Sequence, residues 1–372
     1  KESAHTTEKY MKKASLPAEV GKMIPKALRQ VVAQLAPGTP LHDGIEFILR
    51  ARTGALVVMG DSPEVMDLCK GGFKIDAPYL PNSFYELAKM DGAIILSSAL
   101  DRIMYANVHL FPDPMLPTNE TGTRHAAAER TARATGKPVI AISSRRNVIT
   151  IYHSRQKYIL RDVGYILDMA NQALQTLAKY REVLDKALIK LTAFEFEDDV
   201  TVADVAECVR RWELTRRVGE EVNSYIIELG TEGRLIRMQM QEMVRGRREE
   251  TENLLRDYME EGEYKHPEKF LAAIEEWDLD DIMENGIIER AIRRLGEEGP
   301  DTEVSSRGYR TLSQLTSRMP EQIVENLIKS FGNLHNIFVA SVEELDEVEG
   351  IGKSRAVTLH DGLRRIRDQV SS

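Results

Sequence analysis

Cysteine is almost absent from this chain: Cys69 and Cys208 are the only two in 372 residues. They stand far apart and without metal-ligand spacing, which excludes a disulfide framework and a cysteine-held zinc, so a reducing cytoplasm is expected. Long apolar runs are missing as well. No stretch approaches the roughly 20 residues needed to cross a bilayer, and the N-terminal segment is polar and charged, so neither a membrane span nor a secretion signal is expected. The chain opens on Lys1 rather than Met, and a processed or trimmed start is expected. Positive charge is not in excess: 50 Lys and Arg stand against 59 Asp and Glu, a net charge of -9. A protein that coats nucleic acid non-specifically needs the opposite sign, so any DNA contact has to be local and geometric.

The composition, 42% hydrophobic over this length, is enough for two or three domains with real cores. Residues 1–22 show no sustained periodicity and read as a loosely held arm. From residue 23 the pattern is α/β. Leu28, Val31, Val32 and Leu35 keep helical spacing, as do Ile45, Ile48 and Leu49, and both lead to the buried-strand candidate Gly54–Gly60. Similar apolar runs recur at Ala93–Leu96, Ile103–Leu110, Val139–Ser143 and Val148–Tyr152, with helical stretches at Phe84–Met90 and Arg124–Thr135 between them. Such mixing predicts an α/β layer domain that ends near residue 162. From Val163 the spacing of Ile166, Met169, Ala173, Leu177 and Tyr180 predicts a long helical spine, and Thr201 opens another helix through Trp212. The density of charge across 246–300 predicts a flexible or solvent-rich helical region, bounded by Gly299-Pro300.

Three strings carry chemistry. Asp91-Gly92-Ala93 puts an isolated carboxylate at a strand entrance, where it can hold a divalent ion, although Asp-Gly alone is most often only a turn. Downstream, Glu120-Thr-Gly-Thr-Arg-His125 precedes an Ala-rich helix that Gly136 stops. Free N–H groups at such a start, together with the helix dipole, favour an anion. Arg124 and His125 then add charge-assisted hydrogen bonds to phosphates, and Thr123 adds a hydroxyl; the plainer alternative is a capped helix with a solvated Arg. Ser143, Arg145 and Arg146 follow the strand Val139–Ile142, at the kind of strand end where α/β folds bind ligands, or else form a solvated basic turn. Glu129 and Arg130 read as helix-surface pairs.

The order Asp91-Gly92-Ala93, Ala106-Asn-Val-His-Leu110, Gly122-Thr-Arg-His125 and Ala128-Glu-Arg130, closed by Val348-Glu-Gly-Ile-Gly-Lys-Ser-Arg-Ala356, resembles the DisA family of DNA-scanning diadenylate cyclases over almost the whole chain. The resemblance implies an α/β cyclase domain of mixed sheet and flanking helices at 23–162, an α-helical spine at 163–300 and an α-helical helix-hairpin-helix domain at 301–372. It also implies an enzyme, a nucleotidyltransferase that joins two ATP head to tail into cyclic di-AMP with release of two pyrophosphates, using Mg²⁺ or Mn²⁺. Asp91 matches the acid that helps hold the metal and assists the attacking 3′-hydroxyl. Gly92 and Ala93 complete that motif, with Gly92 letting a base or ribose approach the backbone. Leu110 matches a nucleotide-contacting position. Thr123, Arg124, His125 and the next two positions, Ala126 and Ala127, match the phosphate-binding run, while Arg146 matches a triphosphate-facing position with Ser143 beside it. The match breaks at one place: the family reads Arg-His-Arg and then Thr or Ser, whereas Ala126 and Ala127 fill the last two positions here. Synthesis is therefore expected to be impaired, and the alternative is a catalytically silent, nucleotide-binding scaffold that scans branched or damaged DNA.

One such domain holds one ATP, so two have to meet, and the family resemblance implies an octamer with central cyclase domains. In the closing string the Gly350-Ile351-Gly352 turn lets backbone N–H groups reach a DNA phosphate, with Ile351 packed inward and Lys353, Ser354 and Arg355 on neighbouring phosphates. A tight turn between packed helices is the bland alternative. The acidic run Glu343, Glu344, Asp346, Glu347 and Glu349 is expected to face away from DNA, while Arg364, Arg365 and Arg367 extend the basic side. Arg318-Met319-Pro320 faintly echoes this string and would make a first hairpin of a tandem pair. Partners expected on this basis are ATP, cyclic di-AMP and branched DNA such as four-way junctions, with a nucleoid-associated place in the cytoplasm. Residues 301–372 are expected to be separable from the rest.

Overall fold

A computed structural model describes residues 23–259, 266–284, 286–292, 299–315 and 320–370. The expected arm at 1–22, and Arg318 and Met319 of the hairpin echo, lie outside the described residues. The chain forms two compact units: one runs to Gln172 and includes Glu221–Met238, and the other comprises Ala173–Glu220 and everything from Gln239 onward. These divisions fall inside the helices Val163–Glu197, Val202–Leu229 and Arg234–Val244.

The first unit is built on one eight-stranded mixed sheet. Its strands are β1 (Ala55–Met59), β2 (Cys69–Lys70), β3 (Phe73–Pro78), β4 (Ala93–Leu96), β5 (Arg102–Leu110), β6 (Val139–Ser143), β7 (Val148–His153) and β8 (Gln156–Ile159). The order is β2-β5-β4-β1-β6-β7-β8, with β3 also on β5. Only β1 and β4 run parallel; the remaining pairings are antiparallel. Alternation along each strand divides the core between two faces. Val57, Met59, Ile94, Leu96, Ile140 and Ile142 join Val32, Leu35, Ile45, Ile48 and Phe84 from the helices on one side. Val58, Ala93, Ile95, Val139 and Ala141 meet Ala128 and Ala132 of the helix Thr123–Thr135 on the other. Both faces of β1 are covered, which is why it reads as an unbroken apolar run.

β2, β3 and β8 carry no mark in the sequence and are found only in the structure. They are edge elements with much exposed side-chain surface, so no apolar run marks them. Helix and strand ends elsewhere shift by a few residues: the helix expected at Phe84–Met90 is Pro81–Leu87, begun by a proline at its first turn.

The second unit is helical and corrects the expectation for 246–300. Leu254, Leu255, Tyr258, Phe270, Leu271, Ile274, Ile282 and Ile288 are buried in one core with Leu184, Leu191, Val205, Val209 and Trp212. Much of the dense charge is taken up in ion pairs such as Arg247–Glu250 and Arg248–Glu252. Residues from 301 are not cleanly separable. Glu303–Val304 pairs with Val200–Thr201, and the fully buried Arg310 guanidinium binds Glu195 at 2.6 Å. The Asp257 carboxylate accepts backbone N–H groups from Gly308, Tyr309 and Arg310. Cutting at 301 would take the guanidinium from the buried Glu195 and the backbone donors from the buried Asp257, a strongly destabilising change.

Near the C-terminus the short helix Val342–Asp346, held by a Ser341–Glu344 capping box, turns through Gly350 into the helix Lys353–Val370. Gly350 has φ +86°, a left-handed conformation that favours glycine. Ile351, Leu345, Val348, Ala356 and Leu359 are buried together, while Lys353, Ser354 and Arg355 are exposed.

Candidate functional site

In the first unit a cleft of about 700 Å³ opens at one end of the sheet. Topology explains why its parts converge. The start of β1 and β4 and the end of β5 and β6 lie at the same sheet edge, because β5 and β6 run against the parallel pair. The cleft is lined by Leu56 from β1, Asp91 to Ala93 at the entrance of β4, Val108 to Phe111 at the exit of β5 and Ser143 to Arg145 at the exit of β6. Gly122, Thr123, Arg124, His125 and Ala127 complete it from the helix start.

Nine of the eleven residues expected around a nucleotide therefore share one wall or another of this cleft: Asp91, Gly92, Ala93, Leu110, Thr123, Arg124, His125, Ala127 and Ser143. Ala126 and Arg146 are not in its lining. Leu56, Val108, His109, Phe111, Gly122 and Ser144 are there without having been singled out for it, and Arg145 joins them from the basic turn after β6. His109 and Val108 belong to the string that marked Leu110, and Arg145 precedes Arg146 in the same turn. Leu56 carries no signal beyond its alternation with Val57.

Asp91 is aimed by a local irregularity. The β4–β5 register shifts beside Ala93, Asn107 adopts φ +54°, and its side-chain oxygen accepts the Gly92 N–H at 3.1 Å. A Cβ on Gly92 would stand 2.3 Å from the Asn107 carbonyl carbon. This changes the expected role of Gly92: the space it frees is filled by the Asn107 backbone rather than left for a base or ribose.

The helix Thr123–Thr135 starts after Gly122 without a side-chain cap, and Ala126 N–H is its first donor to an intrahelical acceptor, the Gly122 carbonyl. The preceding N–H groups, with the positive end of the dipole, face the end of the cleft that the helix start lines. Arg124 extends past Gly54, where an added Cβ would lie 2.0 Å from Nη1, and that nitrogen donates to the Ile142 carbonyl at 3.4 Å. Ser143 is partly committed, since its hydroxyl accepts Arg146 N–H at 3.3 Å and fixes the turn after β6.

His125 differs from expectation. Burial holds its imidazole below the ordinary histidine range; Glu120 opposes the shift, whereas Lys157, Arg124 and Arg146 reinforce it. At neutral pH it is a neutral ring, so the fixed positive charge comes from the arginines. Its Nδ1 lies 3.0 Å from the hydroxyl of Tyr152, a buried residue of β7.

Glu129 and Arg130 are not surface pairs. Glu129 is buried and accepts from Thr118 Oγ1 and Arg133, each at 2.6 Å, while Arg130 Nε donates to the Leu116 carbonyl at 2.9 Å. Together they staple the 111–122 segment, and with it Phe111 and Glu120, to the helix.

Asp91 is the one carboxylate in the lining, and among the described residues no group of three or more His, Cys, Asp or Glu converges as a metal cage. That donor set fits Mg²⁺ or Mn²⁺, hard ions held by a carboxylate or two together with substrate phosphates and water.

Residues 42–157, which hold every residue of the cleft, match the model described as DisA bacterial checkpoint controller nucleotide-binding, and residues 160–299 match the DisA bacterial checkpoint controller linker region. The chain is 49% identical over 342 residues to a protein of Symbiobacterium thermophilum named DNA integrity scanning protein DisA, covering 92% of this chain and 96% of that one. The protein of the same name from Carboxydothermus hydrogenoformans is 49% identical over 338 residues, 91% of this chain and 96% of its own. That from Clostridium kluyveri is 48% identical over 346 residues, 93% and 97%. With near-half identity along almost the full length of such relatives, and the cleft inside the matched nucleotide-binding region, the chain belongs to the DisA family of DNA integrity scanning proteins.

Proposed function

We propose that the cleft binds ATP and that two copies, cleft to cleft, join two ATP into cyclic di-AMP. The observation that carries this reading is the convergence of Asp91, the uncapped start of Thr123–Thr135 and the basic turn at Ser143–Arg145 on one cavity. Each ribose 3′-hydroxyl attacks the α-phosphorus of the other ATP; a new P–O bond forms at each centre and pyrophosphate leaves. Catalysis of this kind is mainly positioning and stabilisation of charge on the phosphate oxygens. The helix N–H groups, Arg124 and Arg145 supply that stabilisation, while Leu56, Leu110 and Phe111 offer an apolar wall for adenine. Asp91 would hold Mg²⁺ or Mn²⁺, which when bound neutralises phosphate charge. Asp91 also stands ready to accept the 3′-hydroxyl proton.

Ala127 in the cleft lining favours a second reading for this particular chain, a nucleotide-binding scaffold with little synthesis. Incubation of the purified chain with ATP and Mg²⁺ or Mn²⁺, followed by chromatography, separates the two. Cyclic di-AMP at low yield is expected, and binding of ATP with no product would favour the scaffold. No binding of ATP would remove both.

For the second unit we propose a helix-hairpin-helix contact with branched DNA through Gly350, Ile351, Gly352, Lys353, Ser354 and Arg355. The left-handed Gly350 and the exposed start of Lys353–Val370 support it. Phosphate contacts position without reading sequence, so affinity for a four-way junction should fall with salt, and Lys353→Glu should weaken it. An octameric assembly, and a nucleoid-associated place in the cytoplasm, follow from the same family reading.

A further inference from the structure

The turn at Gly350 is held from behind by a side chain outside the hairpin string. Asn326, on the helix Glu321–Phe331, donates from Nδ2 to the Glu349 carbonyl at 2.9 Å. A carbonyl only accepts, so the amide nitrogen has to face it, and the Asn326 oxygen on the other side takes the Gln322 Nε2 at 3.2 Å. One turn earlier on the same helix Ile323 packs behind Gly350, where an added Cβ would lie 3.3 Å from Ile323 Cγ1. Arg355 closes the turn from within, its Nη1 donating to the Gly350 carbonyl at 2.8 Å.

These bonds commit the carbonyls of the turn. The Val348 oxygen accepts the Ile351 N–H at 2.9 Å, and the Gly352 oxygen accepts those of Arg355 and Ala356 at 2.8 and 3.0 Å. Val348, Glu349, Gly350 and Gly352 thus all turn their oxygens to the protein's own donors. In a trans peptide the N–H points opposite to the C=O. With the Glu349 oxygen drawn to Asn326, the Gly350 N–H of the same peptide faces away from the helix Glu321–Phe331. With the Gly352 oxygen drawn along the last helix, the Lys353 N–H points back out of its start. Among the described residues neither N–H has a protein acceptor. A surface that withdraws its carbonyls and presents its N–H groups attracts an anion, and a single carbonyl rotated outward would repel it.

We infer that Asn326 is a positioning residue for the DNA contact: by holding the Glu349 carbonyl inward it aims the Gly350 N–H at the phosphate. The inference rests on the reading of the hairpin as a phosphate-binding turn. Asn326 acts through Gly350 rather than on the DNA, since its amide nitrogen is already bonded to Glu349. Without that amide the Glu349–Gly350 peptide loses its tether, and glycine, having no Cβ, offers little resistance to rotation. The rotated turn meets the phosphate with an oxygen.

Gel-shift titration of the full chain with a four-way junction tests this, for the parent, Asn326→Ala, Lys353→Glu and the two substitutions combined. Ala is a good helix former at this half-buried position, and a thermal melt establishes folding. Asn326→Leu, which fills the volume without a donor, repeats the measurement in a second side chain. Either variant at Asn326 should bind the junction about 3- to 10-fold more weakly, the size of one ordinary hydrogen bond. A merely structural role would lower the melting temperature and leave the Lys353 effect untouched. Positioning predicts coupling instead: the factor lost through Lys353→Glu should be at least about twofold smaller in Asn326→Ala than in the parent, because both act on one phosphate contact. Parent affinity in folded Asn326→Ala and Asn326→Leu, or the same Lys353→Glu factor in both backgrounds, would overturn the inference. If Lys353→Glu leaves the affinity of the parent unchanged, or the parent does not bind the junction, the hairpin reading beneath it fails instead.

Discussion

Gly54 is the residue on which the placement of Arg124 depends. A methyl group there would overlap the Arg124 Nη1 at 2.0 Å and would also stand 3.0 Å from the Ile142 carbonyl oxygen, a tight contact with backbone. Gly54→Ala should therefore lower the melting temperature modestly through the crowded carbonyl, while the displaced guanidinium lowers ATP affinity by about tenfold, within the range of one charge-assisted hydrogen bond. Calorimetric titration beside a thermal melt reads both, and full ATP affinity in the folded variant would show that Arg124 does not bind the nucleotide. Ala127 lies in the lining and Ala126 does not, so the two departures from the family pattern are unequal. Ala126→Arg with Ala127→Thr should raise cyclic di-AMP output at least about tenfold, with Ala127→Thr alone giving part of the gain. Equal output in all three chains, at low and saturating ATP, would place these positions away from the reacting phosphates. Much at this scale was legible, because Asp91, Thr123, Arg124, His125 and Ser143 sit in strings whose spacing carries them to one sheet edge. The Tyr152 partner of His125 was not, since the two residues come from separate elements and only β7 pairing brings Tyr152 beside the helix start.

Helices and strands were legible to the degree that they are buried on a regular period. β1, β4 and β6 announce themselves as short apolar runs, whereas β3 alternates exposed and half-buried positions at an edge and left no such mark. The opposite error arose across 246–300, where charge density hid Leu254, Leu255, Phe270, Leu271 and Ile274, because paired charged residues such as Arg247–Glu250 and Arg248–Glu252 interleave with the residues that face in. Arg310 is the extreme case, a guanidinium fully buried against Glu195. One element has a consequence for the cleft. The 111–122 segment has no regular structure of its own and is tied to the helix by Thr118–Glu129 and Leu116–Arg130. Glu129→Ala would leave Thr118 and Arg133 without their shared acceptor, at a cost of about 1–3 kcal/mol. The expected outcome is a lowered melting temperature and, because Phe111 and Glu120 lie on the freed segment, weaker ATP binding at temperatures where the variant remains folded. A variant with lower stability but unchanged ATP affinity would mean that the staple serves the fold alone.

Each copy brings one Asp91 to its nucleotide cleft, while the product has two symmetric bonds, so on the proposed reaction every copy supplies half of the chemistry. This leads to an outcome that no single-chain enzyme would give. In the background restored by Ala126→Arg and Ala127→Thr, Asp91→Asn should abolish synthesis, because an amide holds a divalent ion poorly and accepts no proton. When that variant is mixed and re-equilibrated with the Asp91 chain at equal amounts, mixed pairs form in which one 3′-hydroxyl is activated and the other is not. In such a pair one P–O bond forms and one pyrophosphate leaves, which yields the linear dinucleotide that still carries one 5′-triphosphate and one free 3′-hydroxyl. Chromatography should therefore show the linear species accumulating in the mixture above its level with either chain alone, and cyclic di-AMP falling to below half of the unmixed yield. If the mixture gives half the cyclic product and no added linear species, each cleft completes the reaction without a partner's carboxylate, and the face-to-face arrangement is wrong.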